Sequence, residues 1–228
     1  MIIVWSDIYQ IYQEGLEGIV VLKELFKYTK MEYLRSILDN GIYAAKLTEL
    51  NDPYEAEGIL YPEKYRVCCA TTSPMKMLMW SYYGQHRECV VGFLPKINME
   101  KVEYVRRFES HKDFTQEEVV RNLLKKGAEW KPENEYRQVW FSENSNPDIW
   151  TMTEKDKVFL KAKIVDVRFG VCSHLNPFFV DALGLLKDYN EGCADCDKIK
   201  VLKYTLSSKK YSLVEEKQWD YLEEYKKC

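Results

Sequence analysis

The sequence predicts a single α+β domain, in which strands and helices follow one another without strict βαβ alternation. Its 228 residues suit one compact core, because two full domains would each be left with little chain. Hydrophobic residues make up 46% of the chain and aromatic residues 14%, which is enough apolar surface for a well-packed interior. We therefore expect a helical N-terminal extension at 1–24, a core domain at 25–214 and a C-terminal helix at 215–228.

The first elements of the core carry clear local signals. Residues 25–28 form an apolar and aromatic run that predicts a strand. Residues 31–40 then place apolar side chains at helical spacing, and Asn40 with Gly41 supplies a left-handed stop. A second strand is expected at 42–45.

Pattern and capping signals predict the remaining elements. Thr115 and Glu118 form a capping box ahead of a helix that Gly127 would end. Apolar runs and alternation indicate strands at 67–71, 89–94, 102–105, 136–141, 158–169, 199–206 and 210–214. Helical patterns indicate helices at 75–85, 116–126, 177–189 and 215–227.

Composition limits the function classes. A formal net charge of −3 argues against a protein that coats nucleic acid by charge alone. The N-terminal segment has no basic leader, and no uninterrupted apolar stretch is long enough to span a bilayer. The seven cysteines are an odd number and include the adjacent pair Cys68 and Cys69, which indicates reduced thiols. These features predict a cytoplasmic protein with no membrane partner.

The segment Glu133-Asn134-Glu135-Tyr136-Arg137 is the most informative stretch of the chain. Strand alternation would send Glu133, Glu135 and Arg137 to the same face. In a cleft, two adjacent carboxylates raise one of their pKa values while a guanidinium lowers the other, which separates acid and base roles. The alternative is a solvated edge strand with a surface ion pair.

A loop before the second long strand offers further candidates. Asn51, Asp52 and Glu55 would line the cleft, with Asp52 orienting Arg137. Alternatively, Asn51 and Asp52 cap loose backbone amides in a turn ahead of Pro53.

Two other groups have both a functional and a structural interpretation. Trp80 and Tyr83, at positions i and i+3 of a helix, would present a stacking face to a nucleobase or nicotinamide, or would pack in the core. Four possible zinc ligands form a weak match to known spacings, and free thiols are the default for the cysteines among them: Cys172, His174, Cys193 and Cys196. No metal is expected.

Four ordered motifs resemble an uncharacterised bacterial family, domain of unknown function 2971. The motifs span most of the chain and are Leu25-Phe26-Lys27-Tyr28, Leu50-Asn51-Asp52-Pro53-Tyr54-Glu55, Met79-Trp80-Ser81-Tyr82-Tyr83 with Gly92 beyond it, and Trp130 followed by the Glu133 to Arg137 segment.

The opening strand, helix and strand are also similar to ADP-ribosyltransferase-like domains. In that fold a first strand carries a His or Arg two residues before a Ser or Thr, a later strand carries a Ser or Thr, and a final strand begins with a glutamate. Lys27 with Thr29, the run Thr71-Thr72-Ser73, and Glu135 fall on these three patterns, with Lys27 replacing the usual His or Arg.

This resemblance implies a mixed, split sheet flanked by helices, and NAD as co-substrate. Glu135 would stabilise the cationic ribose that forms when nicotinamide leaves, and Glu133 would activate the acceptor. The resemblance and the residue chemistry together assign a dinucleotide-binding role to Lys27, Tyr28, Thr29, Ser73, Trp80, Tyr83 and Arg137.

The sequence therefore predicts an NAD-dependent ADP-ribosyltransferase or NAD glycohydrolase that acts as an intracellular bacterial toxin or phage-defence effector. One alternative is a non-catalytic sensor that binds a nucleotide in the same cleft. A second alternative is a nuclease that uses Asp52, Glu55 and Glu135 around magnesium. The acceptor and the oligomeric state stay open.

Overall fold

The computed structural model describes residues 22–107, 114–144, 146–217 and 219–227. The strands are β1 (Leu25–Thr29), β2 (Ile42–Lys46), β3 (Tyr65–Thr71), β4 (Cys89–Pro95), β5 (Glu100–Lys101), β6 (Glu103–Val105), β7 (Lys125–Gly127), β8 (Glu135–Phe141), β9 (Trp150–Met152), β10 (Val158–Leu160), β11 (Ala162–Phe169), β12 (Lys200–Leu206) and β13 (Leu213–Glu215). The α-helices are α1 (Leu34–Asn40), α2 (Met77–Gly84), α3 (Gln116–Asn122), α4 (Phe179–Glu191) and α5 (Tyr221–Lys227).

One mixed sheet organises the described chain. Its strand order is β13-β12-β11-β4-β1-β3-β2-β10-β9, and β8 pairs with β3 and carries β5 beside it. Strands β11 and β12 run parallel, whereas the other pairs of this sheet are antiparallel. Strands β6 and β7 form a separate parallel pair. The predicted α+β class with a mixed sheet flanked by helices is confirmed.

The sheet branches at β3. This strand pairs with β8 along its whole length, from Tyr65 opposite Phe141 to Thr71 opposite Glu135. On its other side β3 pairs with β1 at one position, Phe26 opposite Thr71, and with β2 near its start. Strands β1, β3 and β8 are therefore neighbours at the level of Thr71.

The turn after α1 depends on glycine. Gly41 has a φ of +104°, and a Cβ at this position would lie 2.3 Å from the carbonyl oxygen of Leu160. Only a glycine fits this conformation and this close approach. The predicted helical stop at Asn40 and Gly41 is confirmed.

The main core lies between the sheet and the helices α1 and α4. Leu34 and Ile37 of α1 join Phe179, Leu183 and Leu186 of α4 in one cluster of buried apolar side chains. A second cluster lies around Trp80 of α2, which is fully buried. The polar residues described below lie beside this second cluster.

Several predicted boundaries were wrong, and the strand predicted at 210–214 begins only at Leu213. The helix predicted at 116–126 ends at Asn122, because Lys125–Gly127 pairs with β6 instead. The strand predicted at 158–169 is two strands, since β10 pairs with β2 and β9 while β11 pairs with β4 and β12.

The C-terminal helix predicted from 215 begins at Tyr221, because Glu215 still pairs with Tyr204 in the sheet. The predicted helical extension at 1–24 lies outside the described residues up to position 21, and residues 22–24 are not helical. Among the described helices, none combines the length and the apolar character needed to cross a membrane.

Candidate functional site

Five charged side chains from three segments meet beneath the sheet surface, and we call them the ionic cluster: Glu55, Lys126, Glu133, Glu135 and Arg137. Each is at most 6% exposed. Charged residues are buried this deeply only when they are paired. Their contacts therefore account for much of the local structure.

Arg137 is the centre of the ionic cluster and is 0% exposed. Its Nε donates to Glu135 Oε1 at 3.0 Å, and its Nη2 donates to Glu135 Oε2 at 2.9 Å. Nη2 also donates to Glu55 Oε1, while Nη1 donates to the carbonyl of Leu123 at 2.7 Å. The guanidinium thus bridges the carboxylates of Glu55 and Glu135.

Lys126 joins the second pair of carboxylates. Its Nζ donates to Glu133 Oε2 at 2.6 Å and to Glu135 Oε2 at 3.0 Å. The same ammonium lies 4.6 Å from the ring centroid of Trp130, which adds a cation–π contact. Lys126 was not predicted as a site residue, because the helix expected at 116–126 placed it in a helical last turn.

Glu133 reaches the ionic cluster differently from the predicted alternation. It ends a 3-10 helix, Ala128–Glu133, and the following Asn134 has a φ of +48°. The carbonyl of Glu133 accepts a hydrogen bond from Thr71 Oγ1 at 2.7 Å. Glu133 and Glu135 are therefore brought together by Lys126 and not by a shared strand face.

The cluster separates the protonation behaviour of its carboxyls. Burial opposes ionisation of Glu135, but Arg137 and Lys126 outweigh it and lower the pKa of Glu135 to about 2. Burial raises the pKa of Glu55 in spite of the nearby Arg137. The carboxylates in turn raise the pKa values of Lys126 and Arg137 against the opposing effect of burial. Glu135 is consequently the group held firmly as an anion.

A small cavity of about 60 Å³ adjoins the ionic cluster. Lys27, Tyr28, Tyr83, Glu133 and Glu135 are among its lining residues, so these sequence-predicted residues do meet. The Lys27 ammonium donates no hydrogen bond to, and forms no ion pair with, another described residue. This volume is far below the roughly 300 Å³ at which small-molecule pockets begin.

Two tyrosines line this small cavity. The Tyr83 hydroxyl donates to Glu133 Oε1 at 2.5 Å. Burial and the Glu133 charge raise the pKa of Tyr83, so it stays a neutral donor. The Tyr28 hydroxyl donates to the carbonyl of Ser73 at 3.2 Å.

Other predicted binding residues do not line the small cavity. Trp80 packs in the core and donates from Nε1 to the carbonyl of Pro74 at 2.9 Å, so the packing interpretation applies. Thr29 lies at the end of β1 opposite Cys89. The Ser73 hydroxyl accepts from the amide of Met75 at 3.3 Å.

Of the two interpretations for the loop residues, the capped turn applies to Asp52, while Glu55 reaches the ionic cluster. Asp52 accepts hydrogen bonds from the amides of Tyr54 at 3.1 Å and Gly127 at 3.4 Å, which is the capped-turn interpretation. It does not orient Arg137 as the first interpretation proposed. Glu55 contacts Arg137 instead, and its Oε2 oxygen is buried without a hydrogen-bond partner in the described chain.

The sulfur and histidine ligands proposed for zinc are not assembled. The described residues contain no group of three or more His, Cys, Asp or Glu side chains arranged to hold a metal ion. Cys172 and His174 precede α4 and Cys193 and Cys196 follow it, so a helix of 13 residues, about 20 Å long, separates the two pairs along the chain. All four side chains lie in the described part of the chain, where the cysteines are free thiols.

A larger cavity of about 400 Å³ lies on the side of Lys126 and Glu55 that borders the loop after β6. Its lining combines acidic and basic side chains, which include Asp52, Glu55, Arg106, Arg107, Lys125, Lys126 and Glu129. Arg106 and Arg107 were not among the predicted site residues. The adjacent arginines were the available signal, but one exposed Arg-Arg pair does not distinguish a site from an ordinary surface.

No protein-family model, no curated protein and no solved structure matches this chain. The resemblances to domain of unknown function 2971 and to ADP-ribosyltransferase-like domains therefore stay predictions.

Proposed function

We propose that this chain is an NAD-using ADP-ribosyltransferase or NAD glycohydrolase. The observation that carries the proposal is the side-by-side arrangement of β1, β3 and β8, with Phe26, Thr71 and Glu135 in register. These are the three strands that the ADP-ribosyltransferase-like pattern requires to be together. Lys27, one residue beyond Phe26, borders the same small cavity as Glu133 and Glu135.

The chemistry requires an anion close to the ribose. When the bond between nicotinamide and ribose breaks, nicotinamide leaves with the bonding electron pair and the ribose develops oxocarbenium character. A carboxylate held ionised stabilises that positive charge, and Glu135 has the lowered pKa that this role needs. Glu133, hydrogen bonded to Tyr83 and Lys126, would orient and deprotonate the attacking water or acceptor.

Substrate entry on this proposal requires a change in the small cavity. Its volume of about 60 Å³ does not admit a dinucleotide. The Tyr83 side chain, which lines the cavity and donates to Glu133, would move aside when NAD binds. Catalysis would then depend on a closed and an open arrangement of α2.

The test is release of nicotinamide from labelled NAD by the purified protein. The wild type is expected to release it, and the conservative variants Glu135→Gln and Glu133→Gln are expected to lose at least about a hundredfold in rate. Asp166→Asn is the matched control, because Asp166 is another buried carboxylate, 3% exposed, that does not line the small cavity. Circular dichroism confirms folding of each variant.

Three results would contradict the proposal. One is the absence of both NAD binding and turnover in the wild type. Another is an equal rate for Glu135→Gln and the wild type. A third is an equal loss for Glu135→Gln and Asp166→Asn, since the loss would then reflect stability alone.

A second candidate function is a non-catalytic module that binds a nucleotide. The observation favouring it is that Lys126 and Arg137 already form ion pairs with Glu133 and Glu135, the two carboxylates that line the small cavity. NAD binding by calorimetry without any release of nicotinamide would support this candidate over the transferase.

The magnesium nuclease has less support in the geometry. Glu55 and Glu135 are bridged by the Arg137 guanidinium, and Asp52 binds backbone amides. A magnesium ion held by these three carboxylates would have to displace Arg137, which makes the transferase the better proposal.

A further inference from the structure

The larger cavity is separate from the proposed catalytic cavity. At about 400 Å³ it falls within the range of small-molecule sites. Lys126 is a lining residue of this cavity, while its ammonium binds Glu133 and Glu135, which line the smaller one. The Lys126 side chain thus forms a partition between the two cavities.

The rim of the larger cavity is basic. Arg106 and Arg107 follow β6 directly, and both are exposed. Neither guanidinium donates a hydrogen bond to, or forms an ion pair with, another residue in the part of the chain that the structure describes. Arginines left unpaired in this way can offer paired N–H donors to a phosphate.

The inner wall of the same cavity is acidic. Asp52 and Glu55 both border it. Glu55 uses one oxygen for Arg137, and its buried Oε2 has no donor in the described chain. Buried carboxylate oxygens are nearly always hydrogen bonded, so a ligand hydroxyl would stabilise this unpaired one once the Glu55 side chain turns it toward the cavity.

We propose that this cavity binds a small phosphate ester that carries hydroxyl groups, such as a sugar phosphate. The phosphate binds Arg106 and Arg107 at the rim, and a hydroxyl donates to Glu55 at the inner wall. The ligand thereby matches the two ends of the cavity, which have opposite charge. None of the residues that line this cavity lines the small cavity proposed for NAD. The proposal therefore does not depend on NAD chemistry.

The first experiment measures the affinity of ribose 5-phosphate by isothermal titration calorimetry, in the absence of NAD. Ribose and inorganic phosphate serve as the two half-ligands. We expect ribose 5-phosphate to bind more tightly than either half, because only it reaches both ends of the cavity. Absence of binding at about 10 mM, or equal affinity for inorganic phosphate, would overturn the proposal.

Removal of the rim charges tests the position of the phosphate. The double variant Arg106→Gln with Arg107→Gln is expected to bind ribose 5-phosphate at least about tenfold more weakly. A double variant of the exposed residues Lys209 and Lys210, each changed to Gln, removes the same charge from the loop before β13 and is expected to bind as the wild type does. An equal loss of affinity for ribose 5-phosphate in both double variants would show that net charge alone attracts the ligand, and it would contradict the proposed site.

Glu55→Gln tests the inner wall. The glutamine keeps a carbonyl oxygen for Arg137 but offers an amide where the unpaired oxygen stood. The ratio of affinities for ribose 5-phosphate and inorganic phosphate is expected to fall about threefold or more, and an unchanged ratio would contradict the assigned hydroxyl contact. Because a ratio is compared, a general loss of stability in this variant does not imitate the result, and thermal unfolding confirms that it is folded.

Discussion

Two buried ion-pair groups in this molecule use the same side-chain chemistry but are built differently. The ionic cluster joins residues from three segments around Arg137. The other group is a pair within β11, where Arg168 donates from Nε to Asp166 Oδ1 at 2.9 Å and from Nη2 to Asp166 Oδ2 at 2.6 Å. The Arg168 guanidinium also donates to the Tyr204 hydroxyl at 2.8 Å.

The surroundings of the two groups differ more than their hydrogen bonds do. The ionic cluster separates cavities of about 60 and 400 Å³, and one of its oxygens, on Glu55, has no partner in the described chain. Neither Asp166 nor Arg168 lines either cavity, and Arg168 lies 5.0 Å from the ring centroid of Phe26. Both groups bury charge, but only the ionic cluster lies beside cavities that leave room for a ligand.

The largest expected difference between the two groups is in stability. Arg137→Met leaves the buried carboxylates of Glu55 and Glu135 without their shared guanidinium, which we expect to cost about 3–5 kcal/mol of unfolding free energy. Arg168→Met strands only Asp166, and the Arg168 side chain is 17% exposed, so we expect a smaller loss of about 1–3 kcal/mol. Urea denaturation measures both, and a greater loss for Arg168→Met would break the comparison.

The next expected difference concerns pH. The folded pKa of Glu135, about 2, lies below the ordinary value of 4.5, so its contribution is complete above pH 4.5 and is lost as the pH falls toward 2. Ionised Glu135 contributes roughly 3 kcal/mol to the free energy of unfolding when this effect is complete. We subtract the unfolding free energy of the wild type from that of the Glu135→Gln variant. This difference should become more negative as the pH rises through this window.

Glu55→Gln should show the opposite trend. Burial raises the folded pKa of Glu55, so ionisation of Glu55 penalises the folded state as the pH rises above 4.5. The unfolding free energy of the Glu55→Gln variant minus that of the wild type should increase as the pH rises above 4.5. Denaturation curves between pH 2 and 8 measure both trends, and the same sign for the two variants would refute the separation of carboxyl roles.

A smaller effect is expected beside the β11 pair. A Cβ on Gly92 would lie 2.5 Å from Asp166 Oδ1, so Gly92→Ala forces this carboxylate to shift and should cost about 1–3 kcal/mol. Gly192→Ala is the control, because its nearest atoms in the same comparison lie at 3.6 and 3.8 Å. Equal thermal midpoints for the two variants would show that Asp166 is not held in place.

The smallest effect is expected for an exposed ion pair. Lys64 donates to Glu143 at 2.8 Å, a distance comparable to those in the buried groups, yet both side chains are largely in water. Lys64→Met should leave the urea midpoint unchanged within error, since solvent screens such pairs. A loss comparable to that of Arg168→Met would mean that burial does not govern the strength of these contacts.

Local signals predicted much of the fold. Apolar runs and the Asn40-Gly41 stop gave the first strand, helix and strand, and the capping box at Thr115 gave the start of α3. The end of α3 could not be predicted in the same way. Lys126 leaves the helical pattern because β7 pairs in parallel with β6, where Tyr104 lies opposite it, and because Glu133 and Glu135 bind its ammonium. The pairing with β6 is a tertiary contact that helical periodicity does not report.

The candidate site was predicted in part for the same reason. Glu133, Glu135 and Arg137 are close in sequence, so their grouping was visible, and Glu55 was named as a cleft residue. The residue that each of these side chains contacts was not predicted. Asp52 was one candidate partner for Arg137, with a capped turn as its alternative, whereas Glu55, three residues later, makes that contact because the 3-10 turn Pro53–Ala56 directs it inward.

The position of Cys69 gives the protein an internal reporter. This thiol lines the small cavity beside Glu135 and Tyr83, and burial raises its pKa well above the usual range. A thiol in that state reacts slowly with alkylating reagents, because the thiolate is the reactive form. A ligand that moves the Tyr83 side chain away from Glu133 would expose this sulfur and speed its labelling, and mass spectrometry can follow that labelling with no probe added to the chain.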